Sequence, residues 1–130
     1  MQAWPRSVLV DAGPLVALGR ARDADSQRAR QFAASFNGVL VTTMPVIAEA
    51  CHFVREKKID LFKQIGIGTI LIEDIGASDM PRLIEFCVKY PRADFADASL
   101  IVIAERLGLT HIATFDEADF SVYRDRKSVV

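Results

Sequence analysis

Short runs of consecutive apolar residues alternate with longer stretches of helical periodicity along the whole chain. "SVLVD" is a strand from Ser7 to Val10 closed by an acid, and "GVLVTT" and "TILIEDI" read as two more. "THIATFDEADF" opens with a strand ending at Thr114. Unbroken Val, Ile and Leu runs of this length, without polar alternation, mark strands buried on both faces. Helical patterns separate them. "AGPLVALGR" starts a helix with Pro14 in its first turn. "DSQRARQFAASF" predicts a helix from Ser26 to Phe36, and "IDLFKQIG" a short one. "TMPVIAEACHFVREKK" predicts a helix capped by Thr42 or Thr43, with Pro45 in the first turn. "SDMPRLIEFCVKY" sets Met80, Leu83, Ile84, Cys87 and Tyr90 at helical spacing, whereas the tail "SVYRDRKSVV" fits no element clearly. Strands alternating with helices predict an α/β fold with a mainly parallel sheet between helices.

One helix breaks its own pattern. In "DFADASLIVIAERLG", at roughly 100° per residue, Ile101 and Ala104 fall within about 40° of Asp97. Ser99, Glu105 and Arg106 lie well away, and Leu100, Val102, Ile103 and Leu107 fill much of the remaining circumference. So apolar a helix is buried on most sides. Asp97 therefore points inward, where a carboxylate is costly without a partner. A capping box with Asp94 as N-cap and Asp97 three residues on accounts for Asp94. It does not account for the inward Asp97.

Other acids share its location. Asp11 directly follows the first strand, and Asp116 lies two residues beyond the last. Asp97 starts the helix that feeds "THIAT". Glu49 sits in the first turns of the helix after "GVLVT", beside a stripe of Val46, Ala50 and Phe53. All four belong at the carboxyl ends of the strands, where open α/β sheets bind ligands. Singly, each has an ordinary account: a helix cap for Asp11, a solvated flank for Glu49, turn residues for Asp116 and Asp119. Gathered, they repel one another unless a cation is present. An all-oxygen set suits Mg²⁺ or Mn²⁺, ions that support phosphoryl-transfer chemistry. His52 and His111 are not spaced as a pair of zinc ligands. The chain holds no GxSxG, GxxxxGK[ST] or GxGxxG.

Bulk properties narrow the picture further. The 130 residues suit one domain spanning 1–130, and 51% hydrophobic with 25% charged residues excludes a disordered chain. A net charge of -1 opposes coating nucleic acid by bulk positive charge, leaving a local basic patch or metal ions to meet phosphates. Cys51 and Cys87 stand far apart in apolar helical stretches, as core thiols of a reducing cytoplasm do. The first residues lack a signal-peptide apolar region, and no apolar run is long enough to span a membrane. The expectation is a cytoplasmic protein without membrane contact.

"VLVDAGPLVAL", "PVIAEA", "DFADASLIVIAERLG" and "IATFDEADF" resemble, in order, the four acidic motifs of PIN-domain ribonucleases. The likeness is greatest to the VapC-like toxins of bacterial toxin–antitoxin pairs and covers nearly the whole chain. It implies a three-layer α/β/α sandwich and a Mg²⁺- or Mn²⁺-dependent endoribonuclease acting on RNA. It also implies a homodimer and a protein antitoxin that blocks the site. The family acids fall on Asp11, Glu49, Asp97 and Asp116, with Thr114 at the neighbouring hydroxyl position and Asp94 and Asp119 as flanking acids. The hairpin from Ser26 to Phe62, with Phe32, Phe36, Phe53, Val54 and Phe62, is the expected antitoxin surface. Packing of the core or of a dimer is the alternative account of those side chains.

Three rivals remain. A receiver-type phospho-signalling domain needs an acceptor at the end of a central strand; "TILIEDI" supplies Asp74 without an evident lysine partner. A haloacid-dehalogenase-type phosphatase needs a second acid where Gly13 stands. A catalytically silent PIN-like interaction module would have no need of four intact acids.

Overall fold

The computed structural model describes residues 6–18, 24–115 and 128–129. Five strands, β1 (Ser7–Val10), β2 (Val39–Thr42), β3 (Ile70–Ile72), β4 (His111–Ala113) and β5 (Ser128–Val129), form one sheet. Their order is β3-β2-β1-β4-β5, and every neighbouring pair is parallel. Helices α1 (Ala12–Leu18), α2 (Ala24–Ser35), α3 (Met44–Val54), α4 (Lys58–Gly66), α5 (Met80–Lys89) and α6 (Phe95–Leu107) make up the layers on either side, giving the expected α/β/α sandwich. β1 lies at the centre, and its Val8, Leu9 and Val10 are fully buried, as an unbroken apolar run requires. β5 falls in the tail that the pattern left unassigned.

The entry into β2 depends on Gly38. The Val39 N–H donates to the Arg6 carbonyl at 2.8 Å, which brings the two backbones together ahead of the Ser7–Val39 register. A Cβ at position 38 would collide with that same carbonyl and with the Phe36 ring. Only glycine leaves room for the pairing.

Two hydroxyls at the end of β2 depart from their expected role. Thr43 stands at the N-cap of α3 but makes no capping bond. Its Oγ1 meets Ser99 Oγ at 2.6 Å, while Thr42 Oγ1 donates to the Val10 carbonyl at 2.9 Å. Ser99, which the helical wheel sets apart from the inward side, is fully buried and also donates to the Ala96 carbonyl at 2.7 Å. The reason is that α6 is buried around its whole circumference from Ala96 to Ala104, so no polar side exists there. α3 packs on α1 and also on α6, tying the two helical groups together.

The helix predicted to run on through Lys58 instead ends at Val54. Arg55 takes φ 55° and ψ -119°, a 3-10 turn covers Arg55–Lys57, and α4 begins at Lys58. α6 ends on Gly108 at φ 68°, the left-handed conformation that favours glycine. Near this end Arg106 donates to Asp79 Oδ2 at 2.7 Å and to the Asp74 carbonyl at 3.1 Å. Arg82 grips both oxygens of Glu105 at 2.7 Å each. Arg106 is thus committed to the structure.

Gly38→Ala is expected to destabilise the protein by about 1–3 kcal/mol, because backbone must shift to admit one methyl group. Urea unfolding of the two proteins measures it; an unchanged midpoint would show that the Arg6–Val39 contact adapts freely.

Candidate active site

Parallel order carries the carboxyl ends of the strands to one edge, and β1 is where connections reverse direction. The chain passes from β1 outward to β2 and β3, then returns to place β4 on the other side of β1. A crevice forms at such a switch point. Asp11 and Thr114 are the first residues past β1 and β4 there. β4 ends at Ala113, one residue earlier than expected, which frees Thr114 from the ladder.

Asp11 is held on every side. Its N–H donates to the Ala113 carbonyl at 3.0 Å. Its Oδ1 accepts from the Ala12 N–H at 2.8 Å, and its Oδ2 from the Thr114 hydroxyl at 3.0 Å. The residue is 8% exposed. Burial pushes its pKa above the ordinary carboxylate value of 3.8; the two donors at its oxygens oppose this, and the charge of Asp94 adds to it. Glu49, half-buried on α3, is also raised, first by burial and then by the charges of Asp94 and Asp11. Three acids from distant parts of the chain therefore sense one another.

Asp94 and Asp97 divide the start of α6. Asp94 takes extended backbone angles at the N-cap, and its Oδ1 accepts the Asp97 N–H at 2.8 Å, as the capping reading requires. Asp97 lies in the first helical turn and is 9% exposed, the inward carboxylate that the wheel demands. The positive end of the helix dipole favours negative charge at this place. The sequence reading made Asp94 a cap with a flanking role; its charge also acts on Asp11 and Glu49. Only the folded path of β1 and α3 reveals that proximity.

The family model of the PIN domain matches residues 8–125. The chain belongs to the PIN domain family. It is similar in structure to Mycobacterium tuberculosis VapC20, a Sarcin-Ricin loop cleaving toxin, with a TM-score of 0.74 and 23% sequence identity over 88% of this chain and 93% of that one. At this identity the likeness concerns the fold. No curated protein matches the chain in sequence.

In this PIN domain Asp116 and Asp119 lie outside the described residues. Among the described residues, no three Asp, Glu, His or Cys side chains are grouped so as to hold a metal ion. The donor chemistry nevertheless suits a hard divalent cation: the acids offer oxygen alone, and two of them are buried. Burial is the first cause of the raised pKa of Asp11 and Glu49, and the nearby acidic charge that adds to it is charge a cation would offset. His52 is exposed and His111 meets Thr110 at 3.0 Å; neither joins the acids. The apolar hairpin is divided. Phe36 is buried and Phe32 stacks on it at 5.3 Å between ring centroids, whereas Phe62 is exposed. Phe53, expected beside Val46 and Ala50, is 55% exposed, because it stands in the last turn of α3, one residue before the helix ends.

Two predictions follow from this geometry. Asp11 has a folded pKa above its unfolded one, so its ionised form opposes folding. That penalty is absent below the unfolded value, grows as pH rises through the folded value, and is complete above it. Metal-free Asp11→Asn is therefore expected to melt a few degrees above the parent at pH 7, with the gap closing toward pH 4. A lower melting temperature for the variant at pH 7 would show that the Ala12 and Thr114 bonds outweigh burial. Asp94→Ala removes the cap of α6 and is expected to cost about 1 kcal/mol in urea unfolding; no loss would refute the capping role.

Proposed function

We propose that this PIN domain is a divalent-metal-dependent endoribonuclease and serves as the toxin of a toxin–antitoxin pair. The observation that carries the reading is Asp11, a buried carboxylate with both oxygens oriented, within electrostatic reach of Glu49 and Asp94 at the switch point. Such an arrangement has no structural need of so many like charges; it suits a site built to be neutralised by a ligand. Asp11, Asp97, Glu49 and Asp116 are the proposed Mg²⁺ or Mn²⁺ ligands and catalytic acids, with Asp119 as a secondary candidate. When bound, the cation supplies activation of water and stabilisation of charge on the phosphate.

The chain's own residues do the rest. Ala12 N–H and the Thr114 hydroxyl fix the Asp11 carboxylate in one orientation, so none is lost when substrate arrives. Asp97, in the first turn of α6, stands at the positive end of that helix's dipole. Glu49, whose pKa is raised first by burial and then by the charges of Asp94 and Asp11, stands at the mouth of the site as the less buried acid. Asp94 keeps α6 in register while adding negative charge at the rim.

Two further expectations attach to this reading. An antitoxin would use the apolar side of α2 and α4, where Phe32, Phe36, Val54 and Leu61 line a shared cavity. A homodimer is supported by the exposed stripe of Met80, Ile84 and Val88 on α5. No helix among the described residues is long and apolar enough to cross a membrane. The structural neighbour cleaves the sarcin–ricin loop, so a structured RNA loop belongs among the substrates tried beside plain single strands.

Purified protein is expected to cut RNA with Mg²⁺ or Mn²⁺ and to stop in excess EDTA. Asp97→Asn is expected to lower cleavage by roughly 100-fold or more while leaving the fold intact. Full activity in EDTA would refute the metal-dependent reading. RNA binding without cleavage under any metal would favour the silent interaction module.

A further inference from the structure

Glu49 and Phe53 lie one turn apart on α3, Glu49 half-buried and Phe53 exposed. At about 100° per residue they are separated by about 40° around the helix, with a rise of about 5.4 Å per turn. Val46, Ile47 and Ala50, in the earlier turns of α3, are buried, whereas Phe53 stands in the last turn, which ends at Val54. Anything that binds at the acids and follows α3 from Glu49 toward its carboxyl end therefore meets Phe53 next. The Phe53 ring is 55% exposed, and His52 meets it at 5.3 Å between centroids in a T-shaped arrangement. An exposed ring beside a second ring supports no core. It is instead the kind of surface on which nucleic-acid bases stack.

Charge continues the path. Residues 52–63 hold four cations, Arg55, Lys57, Lys58 and Lys63, against two acids, Glu56 and Asp60, in a chain of net charge -1. Neither Arg55 nor Lys58 takes part in an ion pair among the described residues, whereas Arg82 and Arg106 do. Arg55 also holds φ 55°, where glycine would be free of strain, so the corner carries a cation at a conformational cost.

We propose that this face is the track along which an RNA strand leaves the acidic site: Phe53, steadied by His52, stacks a base, and Arg55 and Lys58 bind phosphates. The proposal rests on the ribonuclease reading and adds to it a place for the flanking nucleotides. It also resolves an electrostatic problem, because an acidic protein with an acidic site needs a separate positive surface to hold a polyanion. The exposed Ile59 and Phe62 beside the track are what a protein partner would use instead, and the test separates the two.

The test uses a fluorescent single-stranded oligoribonucleotide and full-length protein carrying Asp97→Asn, so that the RNA is bound but not cut. Adding Phe53→Ala is expected to weaken binding about tenfold, with Phe53→Tyr restoring it, since either ring stacks. Adding Arg55→Gln and Lys58→Gln together is expected to reduce the slope of log affinity against log salt by about 1.4, about 0.7 per lost phosphate contact. Melting temperatures should not move for Phe53→Ala, an exposed site. In the cutting protein, Phe53→Ala should raise KM more than it lowers kcat. Unchanged affinity and slope in a protein that still cuts RNA overturn the track and leave the ribonuclease reading standing. Unchanged RNA affinity with loss of a co-purifying antitoxin shows the face to be a protein-docking surface and likewise overturns it. If the parent neither binds nor cuts any RNA, the ribonuclease reading falls, and the track with it.

Discussion

The hydrogen bond from the Thr114 hydroxyl to Asp11 joins residues 103 positions apart and exists only because β4 lies beside β1. Parallel pairing brings the ends of both strands to one edge, and the ladder stops at Ala113, so the next hydroxyl is free to turn. The Asp11 N–H donates to the Ala113 carbonyl, so backbone holds the two ends together before any side chain acts. The acids from α3 and α6 are then placed by the helices that start at the same edge. Removing the β1–β4 pairing would take Asp11 away from the Thr114 hydroxyl and the Ala113 carbonyl.

This arrangement sets burial against charge. Burial raises the pKa of Asp11, while two donors aimed at its oxygens lower it. Stability alone would favour an amide or an aliphatic side chain at the site. The remainder of α6 offsets the expense: Ala96 to Ala104 is buried on all sides, and at its far end Arg106 pairs with Asp79 while Arg82 of α5 grips Glu105. A rigid, deeply packed helix thus carries Asp97 at its first turn.

Much of this was legible in the residues themselves. Unbroken apolar runs marked the central strands, and Asp97 announced itself by lying beside Ile101 and Ala104 on a largely apolar helix. Asp94 as N-cap followed from local chemistry alone. What stayed hidden depends on contacts distant in sequence. Nothing near Ser99 tells that Thr43 completes its bonding, and nothing near Asp94 tells that Glu49 is within reach of its charge. The end of α3 at Arg55 was hidden for a different reason, since no Gly or Pro punctuates "FVREKK". Phe53 misled because an aromatic at helical spacing usually faces the core.

The strand order has a consequence for synthesis. A chain emerging from its amino end can pair β1 with β2 and β2 with β3 early, since each needs only the segment just made. Asp11 must wait for Thr114, and closure over so long a loop is slow relative to local pairing. Until β4 is made, Asp11 and Asp97 lie on elements not yet joined through the sheet. Asp11 thus gains its Thr114 partner only after more than a hundred further residues have been made, which leaves the nascent chain open to any folding or binding partner until then.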